Sequence, residues 1–470
     1  MDLSLHIDRR ARTPLPLQIA YGVQSALIEG RLPPGARLPS TRALAERLGV
    51  ARMVVVHAFE WLASEGYTET SRGGGTTISK GLILPQSPPD LKQAPERRTD
   101  RLPPTSPVVD FRPGLPALDS FPRTEWRSAL NHVIRNAPDD AFGYGPIEGL
   151  PKLRRAIAEY SSRTRGLPFA PERVVVTAGA AQALSLILRV VHVSRALAIE
   201  DPSPVPVHEL AHLHGRSLLP VAVDDDGMCT GDLPSGESAP GVIYVVPSHQ
   251  YPTGVVMSLS RRLALLDWAA KNNAYIVEDD YDSEFRYDGM PPTALAAMDR
   301  ANCTIYVGTF SKMLCPALRL GYLIAPEPLI DRLLETKWWT DRGGPVIDQL
   351  ALTHWLESGS VDRHVLRTRK LYARRRNALV SALGAAFGAR VRISGVPAGM
   401  HLMASFDDLA DDEEFASRMM ARHGIALYPA SRCAIAYTQN KNSLIFGFGH
   451  LHEEVAGSAI SIIRDELLRV

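Results

Sequence analysis

The chain has 470 residues, 45% of them hydrophobic and 22% charged, with a net charge of +1. That length exceeds one typical domain, the composition is that of a soluble globular protein, and the near-neutral charge excludes a global field drawing the whole molecule to nucleic acid. The opening Met1-Asp2-Leu3-Ser4-Leu5-His6 has no signal-peptide pattern and no apolar run is long enough to span a membrane. Cys229, Cys303, Cys315 and Cys433 show no paired spacing, so a cytoplasmic protein with reduced thiols is expected.

The first 80 residues carry ten Lys/Arg against seven Asp/Glu, a mild positive bias. Leu17, Ala20, Val23, Leu27 and Ile28 predict one helix with a buried face. Leu32-Pro33-Pro34-Gly35 predicts a turn. Ser40, after Pro39, predicts the N-cap of a short helix with Leu44, Ala45 and Leu48 inward, ended by Gly49. A third helix, about 51–64, buries Val55, Ala58, Phe59 and Leu62 and turns Arg52, Met53, Val56, His57 and Glu60 outward. Helix, short turn and helix is the arrangement that offers its second member to the major groove of DNA. After Glu65-Gly66-Tyr67 come two short strands joined by Arg72-Gly73-Gly74-Gly75-Thr76, a wing suited to phosphate or minor groove. Arg37, Arg42, Arg52, His57 and Arg72 are the expected DNA contacts.

Leu38-Pro39-Ser40-Thr41-Arg42-Ala43-Leu44-Ala45, then Leu48-Gly49-Val50-Ala51-Arg52 and Glu65-Gly66-Tyr67, resemble the winged helix of GntR-type bacterial regulators. The resemblance covers nearly all of residues 14–79. Ala51, Met53 and Val54 stand where that family usually offers hydroxyl or amide side chains early in the recognition helix. Base contact there is either missing or apolar, to thymine methyls, and Arg42 and Arg52 are expected on phosphates or guanine.

Residues 80–109 predict a linker. Pro85, Pro88, Pro89, Pro95, Pro103, Pro104 and Pro107 interrupt it, and Glu96-Arg97-Arg98-Thr99-Asp100-Arg101 is a solvated charge run that cannot bury a core. It separates a DNA-binding module over 1–79 from a larger module over 110–470. In the latter, short apolar runs at 174–176, 197–199, 242–246, 275–277 and 304–307 each end in polar or glycine residues. Helical stretches such as 258–271, and the run after Gly179 with Ala181, Leu184, Leu188 and Val191 on one face, lie between some of them. This alternation predicts an α/β fold with a mainly parallel sheet, in which ligands bind at the carboxyl ends of strands.

Gly179, Asp279 and Lys312 each follow such a run. Pyridoxal phosphate needs a lysine for its imine, an acid at the pyridine nitrogen, a hydrogen bond to the ring hydroxyl, and N–H, hydroxyl or cationic groups for its phosphate. Lys312 supplies the first, Asp279 the second and Tyr281 the third. The helix opened by Gly179-Ala180-Ala181, with Thr309, Ser311 and Arg319, forms the expected phosphate cradle. No residue is assigned a catalytic role, and no His/Cys cluster with metal spacing competes.

This set resembles the fold-type I aminotransferases over about residues 110–470. Pro247-Ser248-His249-Gln250-Tyr251-Pro252-Thr253-Gly254 is similar to their P-x-x-x-x-P-T-G loop, and Phe142-Gly143-Tyr144-Gly145 with Gly149-Leu150 and Leu153-Arg154 to their early G-Y…G…L-R element. With the winged helix in front, the chain resembles the MocR (GabR-like) subfamily of GntR regulators. The strings Glu278-Asp279-Asp280-Tyr281-Asp282-Ser283-Glu284-Phe285-Arg286-Tyr287 and Gly308-Thr309-Phe310-Ser311-Lys312 carry that likeness most specifically. The resemblance implies a head-to-tail homodimer on promoter DNA. Its aminotransferase-like domain would sense a small amine, an amino acid or pyridoxal phosphate itself through an aldimine on Lys312. It places Ser248 where aminotransferases carry an asparagine against the ring hydroxyl, and Arg432 where an effector carboxylate is clamped. Pro204 replaces a ring-stacking aromatic, and Val207 stands near where the family's effector pocket carries an arginine. The rival reading is a working aminotransferase with a DNA-targeting appendage.

Overall fold

The computed structural model describes residues 5, 7–11, 13–71, 75–82, 107–168, 170–436 and 441–468. The chain divides into two compact units, Met1–Leu102 and Pro103–Val470.

The first unit is three helices and a hairpin. Helix Leu15–Ile28 buries Ile19, Ala20, Val23, Ala26 and Leu27. Ile28, expected inward, is 67% exposed, because the packed stripe ends one residue earlier at Leu27. Ser40 caps helix Thr41–Leu48: its side chain accepts from the Ala43 N–H at 3.2 Å, a contact worth about 1 kcal/mol. Gly49 ends that helix in the left-handed conformation. Helix Arg52–Ser64 buries the four residues expected of it, Val55, Ala58, Phe59 and Leu62. Strands Thr68–Ser71 and Gly75–Ile78 pair antiparallel as the wing, and Arg37 bridges Thr77 on its edge. Arg72 lies outside the described residues, as do 83–106 of the expected linker. The two ends of that linker are packed. Leu82 joins the first unit's core, and Val109 pairs in register with Ile425 in the second unit.

The second unit is built on an eight-stranded sheet. Its strands lie in the order Val174–Thr177, Gly321–Ile324, Thr304–Thr309, Tyr275–Asp280, Val242–Val245, Leu197–Asp201, Leu218–Asp224 and Gly227–Met228. The five consecutive strands from Thr304–Thr309 to Leu218–Asp224 are parallel, and Gly321–Ile324 runs against both its neighbours. Both faces are covered, so successive residues enter different cores: Val175 packs on one side, Val174 and Val176 on the other. A smaller sheet follows in the order Val391–Ser394, His401–Phe406, Ser443–Gly447 and Tyr428–Pro429. It packs with helices Ser360–Phe387, Asp412–His423 and Glu453–Leu467 around an aromatic core of Phe111, Phe406, Phe415 and Phe446.

Candidate functional site

In the first unit, Arg37, Arg42, Arg52 and His57 are all exposed. Arg52 opens the third helix, and its Nε donates to Thr41 Oγ1 at 3.3 Å, which ties the recognition helix to the start of the helix before it. Arg42 follows Thr41 directly. The Arg37 guanidinium lies along the wing, close enough that a Cβ on Gly75 would come within 3.2 Å of it. Arg37 and Arg42 therefore flank a helix that opens on Arg52 and presents His57 and an exposed Met53.

In the second unit, neighbouring strand ends bring the remaining residues together. Thr309 closes its strand opposite Gly321, and the Thr309 hydroxyl accepts the Ser311 N–H at 3.2 Å. A Cβ on Gly321 would sit 2.8 Å from the Gly179 Cα, so the two strand ends touch. Gly179 has φ +95, a conformation few side chains tolerate. From it the helix Ala180–Val190 starts, with its first N–H groups free of intrahelical partners as at any helix start. The exposed Arg319 guanidinium donates to the Ala178 carbonyl at 2.7 Å and lies against Gly179. Helix start, hydroxyls and arginine thus meet in one corner whose chemistry suits an anion.

Lys312 stands three residues past its strand and is mostly buried. Burial lowers the ammonium's pKa, Asp282 and Asp279 oppose that, and Arg319 adds to it. Such an amine is more readily deprotonated for imine formation. Asp279, expected just after its strand, is its fifth residue. It is mostly buried, and burial pushes its carboxyl up to about 6 against a hydrogen bond from Tyr244. Tyr244 Oη donates to Asp279 Oδ2 at 2.6 Å, while Oδ1 is buried without a partner among the described residues. Tyr281 shares the face of Asp279, and its hydroxyl makes a long contact to the His249 carbonyl at 3.4 Å.

Two expected site residues are engaged with other partners. Ser248 does not join this group. Its hydroxyl accepts from Arg165 Nη2 at 2.7 Å, and Arg165 Nε pairs with Asp280 at 2.5 Å. Asp280 points to the opposite face of the strand from Asp279, and Ser248 goes with it. Arg432 has a side chain 60% exposed and its Nε donates to Glu413 at 3.1 Å, a surface ion pair. Val207 is buried in the core beside the sheet, and Pro204 caps the helix Val205–Leu213.

Sequence reading passed over Tyr244, Gly114 and the His249–Asp282–His401 cluster. Tyr244 was detectable as the one hydroxyl in an otherwise apolar run, since a buried phenol needs a partner. His249, Asp282 and His401 offer metal-ligating atoms within 4.8 Å of one another. Their types are those of a metal site. The packing is closed, however: a Cβ on Gly399 would come within 2.1 Å of the His249 ring, and Asp282 already holds His249 Nδ1 at 3.0 Å.

These residues fit pyridoxal phosphate. The unpartnered Asp279 Oδ1 suits a protonated ring nitrogen, Lys312 the aldehyde, and the corner at Gly179 and Arg319 the phosphate.

Comparison with known proteins agrees with both halves. Residues 107–454 match the family of class I and II aminotransferases, and residues 16–78 the bacterial regulatory proteins of the gntR family. The chain is 34% identical over 467 residues to the pyridoxine biosynthesis transcriptional regulator PdxR of Corynebacterium glutamicum, covering 99% of this chain and 98% of that protein. It is 31% identical over 488 residues to a probable rhizopine catabolism regulatory protein, MocR, of Rhizobium meliloti, covering 99% and 96%. Among solved structures, the kynurenine aminotransferase of Pyrococcus horikoshii matches with a TM-score of 0.71 at 26% identity, over 78% of this chain and 92% of that one. A multiple-substrate aminotransferase of Thermococcus profundus matches with a TM-score of 0.71 at 27% identity, over 81% and 96%.

Fold and site together define a winged helix-turn-helix module joined to a fold-type I aminotransferase-like domain. The chain belongs to the MocR subfamily of GntR-type transcriptional regulators.

Proposed function

We propose that this chain is a cytoplasmic transcriptional regulator that binds promoter DNA through residues 1–79 and carries pyridoxal phosphate on Lys312 in a domain over 110–470, the two joined by the linker 80–109. The observation that carries this reading is the convergence of Lys312, Asp279 Oδ1 and the Gly179–Arg319 corner at adjacent strand ends, behind a winged helix. When bound, pyridoxal phosphate supplies an electrophilic carbon on which one amine replaces another. Asp279 would face the ring nitrogen, Tyr281 would serve the ring's hydroxyl, and Thr309, Ser311, Arg319 and the N–H groups of Ala180 and Ala181 would hold the phosphate.

Two effector classes suit the site: a small amine or amino acid, and pyridoxal phosphate itself. The second is favoured. Arg432 is engaged with Glu413, and Tyr251 packs on a buried apolar cluster of Met403, Ala430, Cys433 and Ile445 with Val205 and Tyr428. The arginine already has a carboxylate partner, and the apolar residues offer little to an effector's charge. The similarity to a pyridoxine biosynthesis regulator points the same way. Filling of the site would alter how paired winged helices sit on half-sites, through a difference in affinity between two arrangements. A homodimer is supported by exposed aromatics: Phe142, the 89%-exposed Tyr144 and the 75%-exposed Trp339. The loop carrying the first two lies against Gly343 and Val346, just beyond the helix carrying Trp339.

The test is binding of full-length protein to its own promoter region with and without added pyridoxal phosphate, and with a panel of amines. A change in affinity or footprint with the cofactor supports the reading. Steady product formation from an amine and an oxo-acid at enzyme-like turnover would establish the aminotransferase reading instead.

A further inference from the structure

We infer that Tyr244 is a positioning residue for the cofactor: its hydroxyl fixes the Asp279 carboxylate so that Oδ1 is the oxygen left for the ring nitrogen. This inference rests on the proposed occupancy of Lys312 by pyridoxal phosphate.

The geometry is specific. Tyr244 belongs to the strand Val242–Val245, parallel to Tyr275–Asp280 and paired in register with Val277. Val277 and Asp279 face the same way, so a long side chain on Tyr244 reaches one step along the neighbouring strand to the carboxylate. It does so at 2.6 Å, to Oδ2. The Tyr244 side chain is buried, and a buried phenol must donate to something. The carboxylate's other oxygen has no partner among the described residues. A carboxylate held by one oxygen has a set plane, and its second oxygen then has a set direction.

The same bond matters for charge. Asp279 works as a partner for a protonated ring nitrogen only while ionised. Burial disfavours that form, and Asp280 and Asp282 disfavour it further. Tyr244 is the largest influence in its favour, with Lys312 second. Glu200, one residue past Tyr244's partner Ile199 on the next strand, accepts the Val246 N–H at 3.0 Å and acts on the phenol only through its charge. Tyr244 is therefore what keeps the negative charge at this position among several carboxylates.

Removing the hydroxyl should weaken Asp279 as an anion, let the ring nitrogen lose its proton, and raise the proton affinity of the imine nitrogen at Lys312. The experiment is a pH titration of the visible absorption band of loaded, full-length wild type, Tyr244→Phe and Asp279→Ala. Phenylalanine keeps the ring, and matching thermal melts check the core. The midpoint should move upward in Tyr244→Phe by about one pH unit, in the same direction as Asp279→Ala. An unchanged midpoint in Tyr244→Phe, beside a shifted one in Asp279→Ala, would show Tyr244 to be core filling and overturn the inference. If wild type shows no visible band after incubation with pyridoxal phosphate, the occupancy reading itself fails, and this inference falls with it by a separate observation.

Discussion

Gly114 and Lys312, 198 residues apart, meet at the centre of the site: Lys312 Nζ donates to the Gly114 carbonyl at 2.7 Å. The contact joins the segment just after the Val109–Asp110 strand to the loop that follows Thr304–Thr309, and it holds the amine before any partner arrives.

Gly114 has φ +70, and a Cβ there would stand 3.1 Å from Lys312 Nζ. Gly114→Ala should therefore both strain the backbone, by roughly 1–2 kcal/mol, and displace the lysine. Cofactor titration followed by absorbance should show weaker loading, with a modestly lower melting temperature.

Burial raises Asp279 to about 6 from an ordinary value of 3.8. The folded state thus binds this proton more tightly than the unfolded one, and stability falls as pH rises from about 4 to about 6. The loss is on the order of 3 kcal/mol for the cofactor-free protein. Asp279→Asn should accordingly raise the melting temperature of cofactor-free protein at pH 8 more than at pH 4, while abolishing tight cofactor binding. Equal effects at both pH values would contradict the raised carboxyl.

The two arginines should part company. Arg319→Ala removes a charge-assisted contact to phosphate and should weaken cofactor binding by about 1.5–3 kcal/mol. Arg432→Ala breaks only an exposed pair with Glu413 and should change stability and cofactor affinity by less than about 0.5 kcal/mol. Equilibrium dialysis with pyridoxal phosphate measures both.

Arg52→Ala should weaken binding to the protein's own promoter region. If Arg52 contacts one phosphate, the slope of log affinity against log salt falls by about 1. Mobility shifts at several salt concentrations read this directly. An unchanged slope and affinity would remove Arg52 from the interface.

Much of this was legible in the sequence because local chemistry specified it. Ser40 and Gly49 bracket a helix by capping rules, and apolar runs ending in Thr309 and Asp279 mark strands buried on both faces. The strand-end rule then placed Lys312, Asp279 and Gly179 together. What sequence did not disclose were pairings between distant segments. Nothing in Arg112-Pro113-Gly114 signals that a lysine 198 residues away will bond its carbonyl. Ser248 follows Arg165 and Asp280 away from Asp279, a consequence of which face each strand residue takes. Arg432 depended on a loop position that motif spacing does not determine, and Ile28 fell one residue outside the packed stripe.

The central claim is that Lys312 carries pyridoxal phosphate. Incubation of full-length protein with pyridoxal phosphate, borohydride reduction and peptide mass spectrometry test it most directly. The account predicts a phosphopyridoxyl mass on the peptide containing Lys312 and none in Lys312→Ala. Modification spread over surface lysines, or none at Lys312, would contradict it.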